Sequence, residues 1–155
     1  MTIEQHTVYL GLGSNLGERE EHIRRAVQQI AEQIGTVVRQ SALYYSDPWG
    51  FESTNSFVNA VVCVRTTLSP RQLLRATQRI ERQLGKRKRH ATRRDVQSAA
   101  ADMPSRPVYH DRPIDIDILL YDDLHVDEPD LKIPHPLMQE RDFVMTPLNE
   151  LLTSP

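Results

Sequence analysis

The chain has 155 residues, 39% hydrophobic and 26% charged, a balance that suits one soluble domain with a single core. A formal charge of −2 and an isoelectric point near 6.3 give the whole domain no nucleic-acid bias. One cysteine, Cys63, excludes an internal disulfide framework, fits a reducing cytoplasm and reads as a buried small hydrophobe. The N-terminal "MTIEQHTVYL" has no basic segment before a long apolar run, so no signal peptide is expected. No stretch approaches the roughly 18 apolar residues that would span a membrane.

The segment 7–13, "TVYLGLG", begins as a short strand, and "GLGSNLG" reads as a tight strand-to-helix turn capped by Ser14 or Asn15. Direct ligand contact by this loop stays open. It is not a dinucleotide fingerprint, because Gly11, Gly13 and Gly17 miss the required spacing, and no Gly-Lys-Ser/Thr makes it a P-loop. Ile23, Ala26, Val27, Ile30 and Ile34 then recur at helical spacing, with Glu18, Glu20 and Glu21 at the positive end and Gly35 as a stop. Residues 36–46 are expected as a second strand, 46–56 as a loop, and 57–68 as a largely buried third strand. Ser69 as cap, Pro70 in the first turn and Gly85 at the end frame a second helix with Leu73, Leu74, Thr77, Ile80 and Leu84 on its inner face.

Periodicity is lost over 86–111, where "KRKRHATRR" holds six Lys or Arg in nine residues. This is read as a long loop, either a solvated basic run or a functional segment. A fourth strand at 114–121, a turn at "YDD", a short strand near "LHVD" and two short helical segments complete the chain. The order β-α-β-β-α-β is the ferredoxin-like arrangement, an α+β fold with an antiparallel sheet, helices on one face and a C-terminal strand/helix extension. All of 1–155 is expected to form one domain.

The stretch "RPIDIDILLYDD" carries the chemistry. Side chains alternate along a strand, so Asp115 and Asp117 share one face while Ile114, Ile116 and Ile118 share the other, toward the helix-covered core. Paired carboxylates repel unless a cation is present, and a divalent metal such as Mg²⁺ would resolve the repulsion. The alternative is a pair of solvated aspartates matched by basic side chains. Arg112 lies just upstream, held extended by Pro113, and the basic loop precedes it. Metal-holding carboxylates beside a cationic segment suit a polyphosphate.

The segments "LGLGSNLG", "FVNAVV", "QRIERQLGK", "RPIDIDILLYDD" and "IPHPLMQERDFVMTPL" together resemble, in order, the 6-hydroxymethyl-7,8-dihydropterin pyrophosphokinases of folate synthesis. The resemblance covers nearly the whole chain. It implies transfer of the pyrophosphoryl group of ATP to the hydroxymethyl group of a reduced pterin, with AMP released and two Mg²⁺ ions held by Asp115 and Asp117. It implies an ATP-binding set of Gln78, Glu81, Lys88, Arg112, Ile118, His135 and Arg141. His135 and Arg141 would reach the phosphates; without the resemblance they would read as a capping or core histidine and a surface arginine. It implies a pterin pocket of Ser46, Asp47, Trp49, Phe57, Asn59, Tyr109 and Phe143, where an aromatic face and an edge-matching amide suit a flat heterocycle. Asp117, Asp115 and Arg112 are the expected catalytic residues, with Asp117 near the attacking hydroxyl. No nucleic-acid or membrane partner is implied, and a cytoplasmic monomer is expected.

The chain departs from the family pattern in places. The 86–111 loop is longer than in many members, Tyr109 stands where tryptophan is common, and Lys86 and Lys88 stand where arginine is common. Pro136 follows His135 where an aromatic is frequent. The long loop is expected to close over both substrates and exclude water. Two rivals share the element order. An RNA-binding module would need stacking aromatics that "FVNAVVCV" lacks, and a non-catalytic regulatory module gives no reason for the paired aspartates.

Overall fold

The structure, a computed structural model, describes residues 4–46, 57–85 and 113–153, with Ser46 and Thr153 described in backbone only. The elements in chain order are β1 (His6–Ser14), α1 (Arg19–Gln33), β2 (Gly35–Gln40), β3 (Tyr44–Ser46), β4 (Phe57–Thr66), α2 (Pro70–Gly85), β5 (Asp115–Tyr121), β6 (Val126–Glu128), β7 (Leu131–Ile133), a 3₁₀ turn (Met138–Glu140) and α3 (Asp142–Thr153). The main sheet runs β2-β4-β1-β5, with β3 also paired to β4, and every pairing is antiparallel. This is a mixed α+β fold. Among the described residues no helix is long and apolar enough to cross a membrane.

Alternation along the strands separates two apolar layers. Val8, Leu10 and Leu12 of β1, Val58, Ala60, Val62 and Val64 of β4, and Ile116 and Ile118 of β5 face one side. Against them α1 packs Ile23, Ala26 and Ile30, and α2 packs Leu73, Ala76 and Ile80. On the other face Val61, Cys63 and Leu119 lie under Leu148 and Leu151 of α3 and Met138 of the 3₁₀ turn. The C-terminal extension therefore covers one end of the face that carries the aspartates. Cys63 is buried there, as its apolar surroundings in the sequence suggest.

Three local expectations need correction. The second strand is not continuous over 36–46. At Ser41 the hydroxyl accepts the Val61 N–H at 2.9 Å while the Ser41 N–H donates to the Val61 carbonyl at 2.9 Å. That side chain replaces a ladder acceptor and splits the strand into β2 and β3. The first helix is not capped by Ser14 or Asn15; it starts at Arg19 with Glu18 as N-cap, and both candidates are buried. Gly11 and Gly13 belong to strand β1 rather than to a turn, and of these three glycines Gly17 alone has a positive φ, 64°. The first helix ends as expected at Gly35, which follows the C-cap Ile34 and is also the first residue of β2. A Cβ there would lie 2.0 Å from the Arg65 carbonyl oxygen, so the approach of β4 requires glycine.

The second helix follows its sequence signals. Ser69 Oγ accepts the Gln72 N–H at 3.2 Å, and Gln72 Oε1 accepts the Ser69 N–H at 2.9 Å, a reciprocal cap. The short strand expected near "LHVD" is β6, and its partner β7 is not among the expected strands, since most of it falls in the segment read as helical.

Candidate active site

Asp115 and Asp117 lie half-buried on the face of β5 opposite Ile116 and Ile118, as alternation requires. On the neighbouring strand Gly13 pairs with Asp115 and Gly11 with Asp117. Across the sheet Gly13 also pairs with Asn59. A Cβ at Gly13 would lie 3.4 Å from Asn59 Oδ1 and 3.6 Å from the Phe57 ring. Two carboxylates, a bare backbone stripe, a carboxamide and an aromatic ring thus form one row across β5, β1 and β4. Farther along this face Leu119 and Val61 pass beneath α3.

Glu81, near the end of α2, reaches the free edge of β5 and accepts the Ile116 N–H at 2.7 Å. Burial pushes its carboxyl up to about 8, against the opposing pull of that N–H; the nearby Asp115 and Asp117 charges raise it further. Three carboxyl groups converge here, and Glu81 keeps its proton near neutral pH. Gln78, one turn earlier on α2, is exposed on the same side of the helix.

The 134–137 segment docks along β5 through the His135 N–H, which donates to the Leu119 carbonyl at 3.1 Å. The Leu137 N–H donates to His135 Nδ1 at 3.3 Å, which assigns the proton of the neutral ring to Nε2. Burial lowers the His135 pKa and the Arg141 charge lowers it further, while Asp115 opposes both. Arg141 holds its guanidinium carbon 5.8 Å from the Phe143 ring centroid. Phe143 itself sits in the first turn of α3.

The donor set suits a hard divalent cation. Asp115 and Asp117 offer oxygens on one face over glycine backbone. Among the described residues no group of three or more His, Cys, Asp or Glu has metal-holding geometry. Two carboxylates without a closed protein cage fit Mg²⁺, which keeps waters and takes substrate phosphate oxygens as its remaining ligands.

The structure therefore brings together Asp115, Asp117, Glu81, His135 and Arg141 around β5, and Asn59 and Phe57 at the adjoining end of β4. Ile118 is different: its side chain is in the helix-covered core, so only its backbone edge is available to a ligand. Ser46 is seen in backbone alone, paired with Phe57. Asp47, Trp49, Lys88, Tyr109 and Arg112 lie outside the described residues, as does the whole 86–111 loop. Sequence reading missed Tyr44, Tyr45 and Glu150. Tyr44 hydroxyl donates to Glu150 Oε1 at 2.5 Å across a separation of 106 residues, which leaves no local signal.

Comparison with known proteins identifies the family. A family model described as 7,8-dihydro-6-hydroxymethylpterin-pyrophosphokinase (HPPK) matches residues 9–153. A Porphyromonas gingivalis protein named 2-amino-4-hydroxy-6-hydroxymethyldihydropteridine pyrophosphokinase is 43% identical over 145 residues, covering 93% of this chain and 89% of that protein. The Aquifex aeolicus protein of the same name is 37% identical over 145 residues, covering 94% and 79%. A solved chain described as HPPK-DHPS in complex with substrates aligns with a TM-score of 0.65 at 14% identity, a likeness of fold. That alignment covers 96% of this chain and 40% of the solved one.

Proposed function

This chain belongs to the 7,8-dihydro-6-hydroxymethylpterin-pyrophosphokinase family and is a pyrophosphokinase of folate synthesis, and we propose that it transfers the pyrophosphoryl group of ATP to the hydroxymethyl group of 6-hydroxymethyl-7,8-dihydropterin, releasing AMP. The observation that carries this reading is the single row formed by Asp115, Asp117, the Gly11 and Gly13 backbone, Asn59 and Phe57. It offers a phosphate-and-metal end on β5 and a heterocycle end on β4, with the glycine backbone of β1 between them.

In the proposed reaction the pterin hydroxyl oxygen forms a bond to the β-phosphorus of ATP. The bond from that phosphorus to the α,β-bridging oxygen breaks, AMP leaves with that oxygen, and the hydroxyl proton is released. Mg²⁺, two ions as the family resemblance implies, would be held by Asp115 and Asp117 and would neutralise phosphate charge. Asp117 is assigned to the attacking hydroxyl, where its carboxylate eases proton loss. His135 donates from Nε2–H to a phosphate oxygen, and Arg141 adds a charged donor beside it. Gln78, Glu81 and the backbone of Ile118 flank the nucleotide along the edge of β5. Lys88 and Arg112 carry the remaining positive charge toward it. Asn59 presents its carboxamide to the heterocycle edge and Phe57 and Phe143 present ring faces, with Ser46, Asp47, Trp49 and Tyr109 completing the pocket. Positioning and charge neutralisation supply most of the rate on this account. The sheet order β2-β4-β1-β5 supports a ferredoxin-like fold as its scaffold.

The test is nucleotide product analysis with ATP, Mg²⁺ and 6-hydroxymethyl-7,8-dihydropterin, beside Asp117→Ala. AMP is expected only with pterin present, and is expected to be lost in the variant. ADP as product would mean that a different group is transferred. Undiminished AMP from Asp117→Ala would remove the carboxylate pair from the mechanism.

A further inference from the structure

Strand β3 has three residues, and helices on both sides of the sheet hold its two tyrosines. The Tyr44 hydroxyl donates to Glu150 Oε1 of α3 at 2.5 Å. The Ala42 N–H, two residues earlier, lies 3.3 and 3.2 Å from the two oxygens of the same carboxylate. The Tyr45 hydroxyl donates to Glu20 Oε2 of α1 at 2.7 Å, and the Arg19 guanidinium lies 5.9 Å from the Tyr45 ring centroid. The hydrogen bond to Glu150 raises the Tyr44 pKa, so the phenol stays a donor across neutral pH.

The consequence reaches the site through one further bond. Asn59 Nδ2 donates to the Tyr44 backbone carbonyl at 3.3 Å, and Asn59 Oδ1 is the atom that lies over Gly13. A carboxamide has a donor end and an acceptor end, so its rotation decides which edge pattern it offers a heterocycle. The Tyr44 carbonyl selects that rotation. The Tyr44 backbone is paired with Asn59 of β4, and Glu150 ties this short strand to α3 through the Tyr44 hydroxyl and the Ala42 N–H.

We propose that Glu150 is a positioning residue for the pterin half of the site, acting through Tyr44 on the orientation of the Asn59 carboxamide. The proposal rests on the reaction assigned above. It is separable from simple anchoring of α3, because that helix has its own attachments. Leu148 and Leu151 are buried against Val61 and Leu119, and Arg39 Nη1 donates to the Leu151 carbonyl at 3.2 Å. None of the hydrogen bonds described for Glu150 or the Tyr44 hydroxyl involves Asp115, Asp117, His135 or Arg141, so the ATP half of the site should not sense them.

Steady-state kinetics with each substrate varied in turn test this in Tyr44→Phe, Glu150→Ala and Glu150→Gln. Glu150→Ala is expected to raise KM for the pterin about tenfold while KM for ATP and kcat stay within about twofold, the signature of lost ground-state binding. Tyr44→Phe is expected to move in the same direction by less, because the Ala42 bond remains. Glu150→Gln keeps a carbonyl acceptor and is expected to restore near wild-type values. Adding Tyr44→Phe to Glu150→Ala should change little further, because both act on one chain of bonds. Equal rises in both KM values, a fall in kcat alone, or a Gln variant as impaired as Ala would overturn the proposal. A wild-type protein that forms no AMP would instead overturn the reaction reading, and this proposal with it.

Discussion

Two glycines in the same sheet should respond to alanine in opposite ways. A methyl at Gly35 would sit 2.0 Å from the Arg65 carbonyl oxygen and 3.0 Å from its carbonyl carbon, both backbone atoms of β4. Neither can rotate away, so relief requires β2 and β4 to separate by roughly 1 Å at that end, where Gly35 pairs with Thr66. Overpacking of this kind costs about 3 kcal/mol. For a chain of this size that lowers Tm by about 6 to 12 °C. A methyl at Gly13 meets only ordinary contacts, 3.4 Å to Asn59 Oδ1 and 3.6 Å to the Phe57 ring, so its stability cost should be small. It does, however, project from the bare stripe between Asn59 and Asp115. Gly13→Ala should therefore melt within about 3 °C of wild type and yet bind the pterin about tenfold more weakly or worse. Thermal melts and pterin titrations on both variants decide the matter. If Gly35→Ala melts normally, or if Gly13→Ala binds pterin normally, the close approach at one site or the substrate floor at the other has been misread.

Three further outcomes follow from the geometry. In the metal-free protein Glu81 carries a carboxyl raised to about 8, so the folded state holds a proton that the unfolded chain releases near 4.5. The stability this contributes is complete below that lower value and is lost as pH rises through about 8. Melts in chelator from pH 5 to 9 should show wild type falling relative to Glu81→Gln, whose amide keeps an acceptor for the Ile116 N–H; parallel curves would contradict the burial argument. Leu148→Ala should cost about 2 to 5 kcal/mol by opening a cavity against Val61 and Leu119, measurable by urea unfolding. Chelation should abolish AMP formation reversibly, with activity returning on adding Mg²⁺; turnover that survives exhaustive chelation would exclude the paired aspartates as metal ligands.

The legible part of the fold was the part with long periodic segments. Helix α2 could be framed to the residue because Ser69, Pro70 and Gly85 are local signals and the inner face repeats over four turns. The face assignment of Asp115 and Asp117 was equally secure, since strand alternation admits no other answer once Ile116 and Ile118 are inward. What failed was set by partners distant in sequence. Gly35 marks the helix end but gives no sign of the close approach of β4, and Ser41 reads as one more strand residue until its hydroxyl is seen replacing a carbonyl for Val61. Gly11 and Gly13 read as a loop because glycine normally weakens strands. What lies beside them comes from other strands: a Cβ at Gly11 would meet the Leu119 side chain of β5, and one at Gly13 would meet Asn59 and Phe57 of β4.

The same distinction explains which site residues could be found. Asp115 and Asp117 are conspicuous because charge interrupts an apolar run, and Asn59 is conspicuous for the same reason inside "FVNAVV". Glu81 has no such contrast: on an exposed-looking helical stretch it is one acid among many polar residues. Only its arrival at the open N–H of Ile116 turns it into a buried group with a raised pKa. Glu150 is hidden more deeply still, because its meaning depends on a tyrosine hydroxyl, a backbone carbonyl and a carboxamide in succession. The strand residues proposed to touch substrate, Asp115, Asp117 and Asn59, leave a chemical anomaly in their own strand. Residues that orient them leave none, because their partners are supplied by the fold.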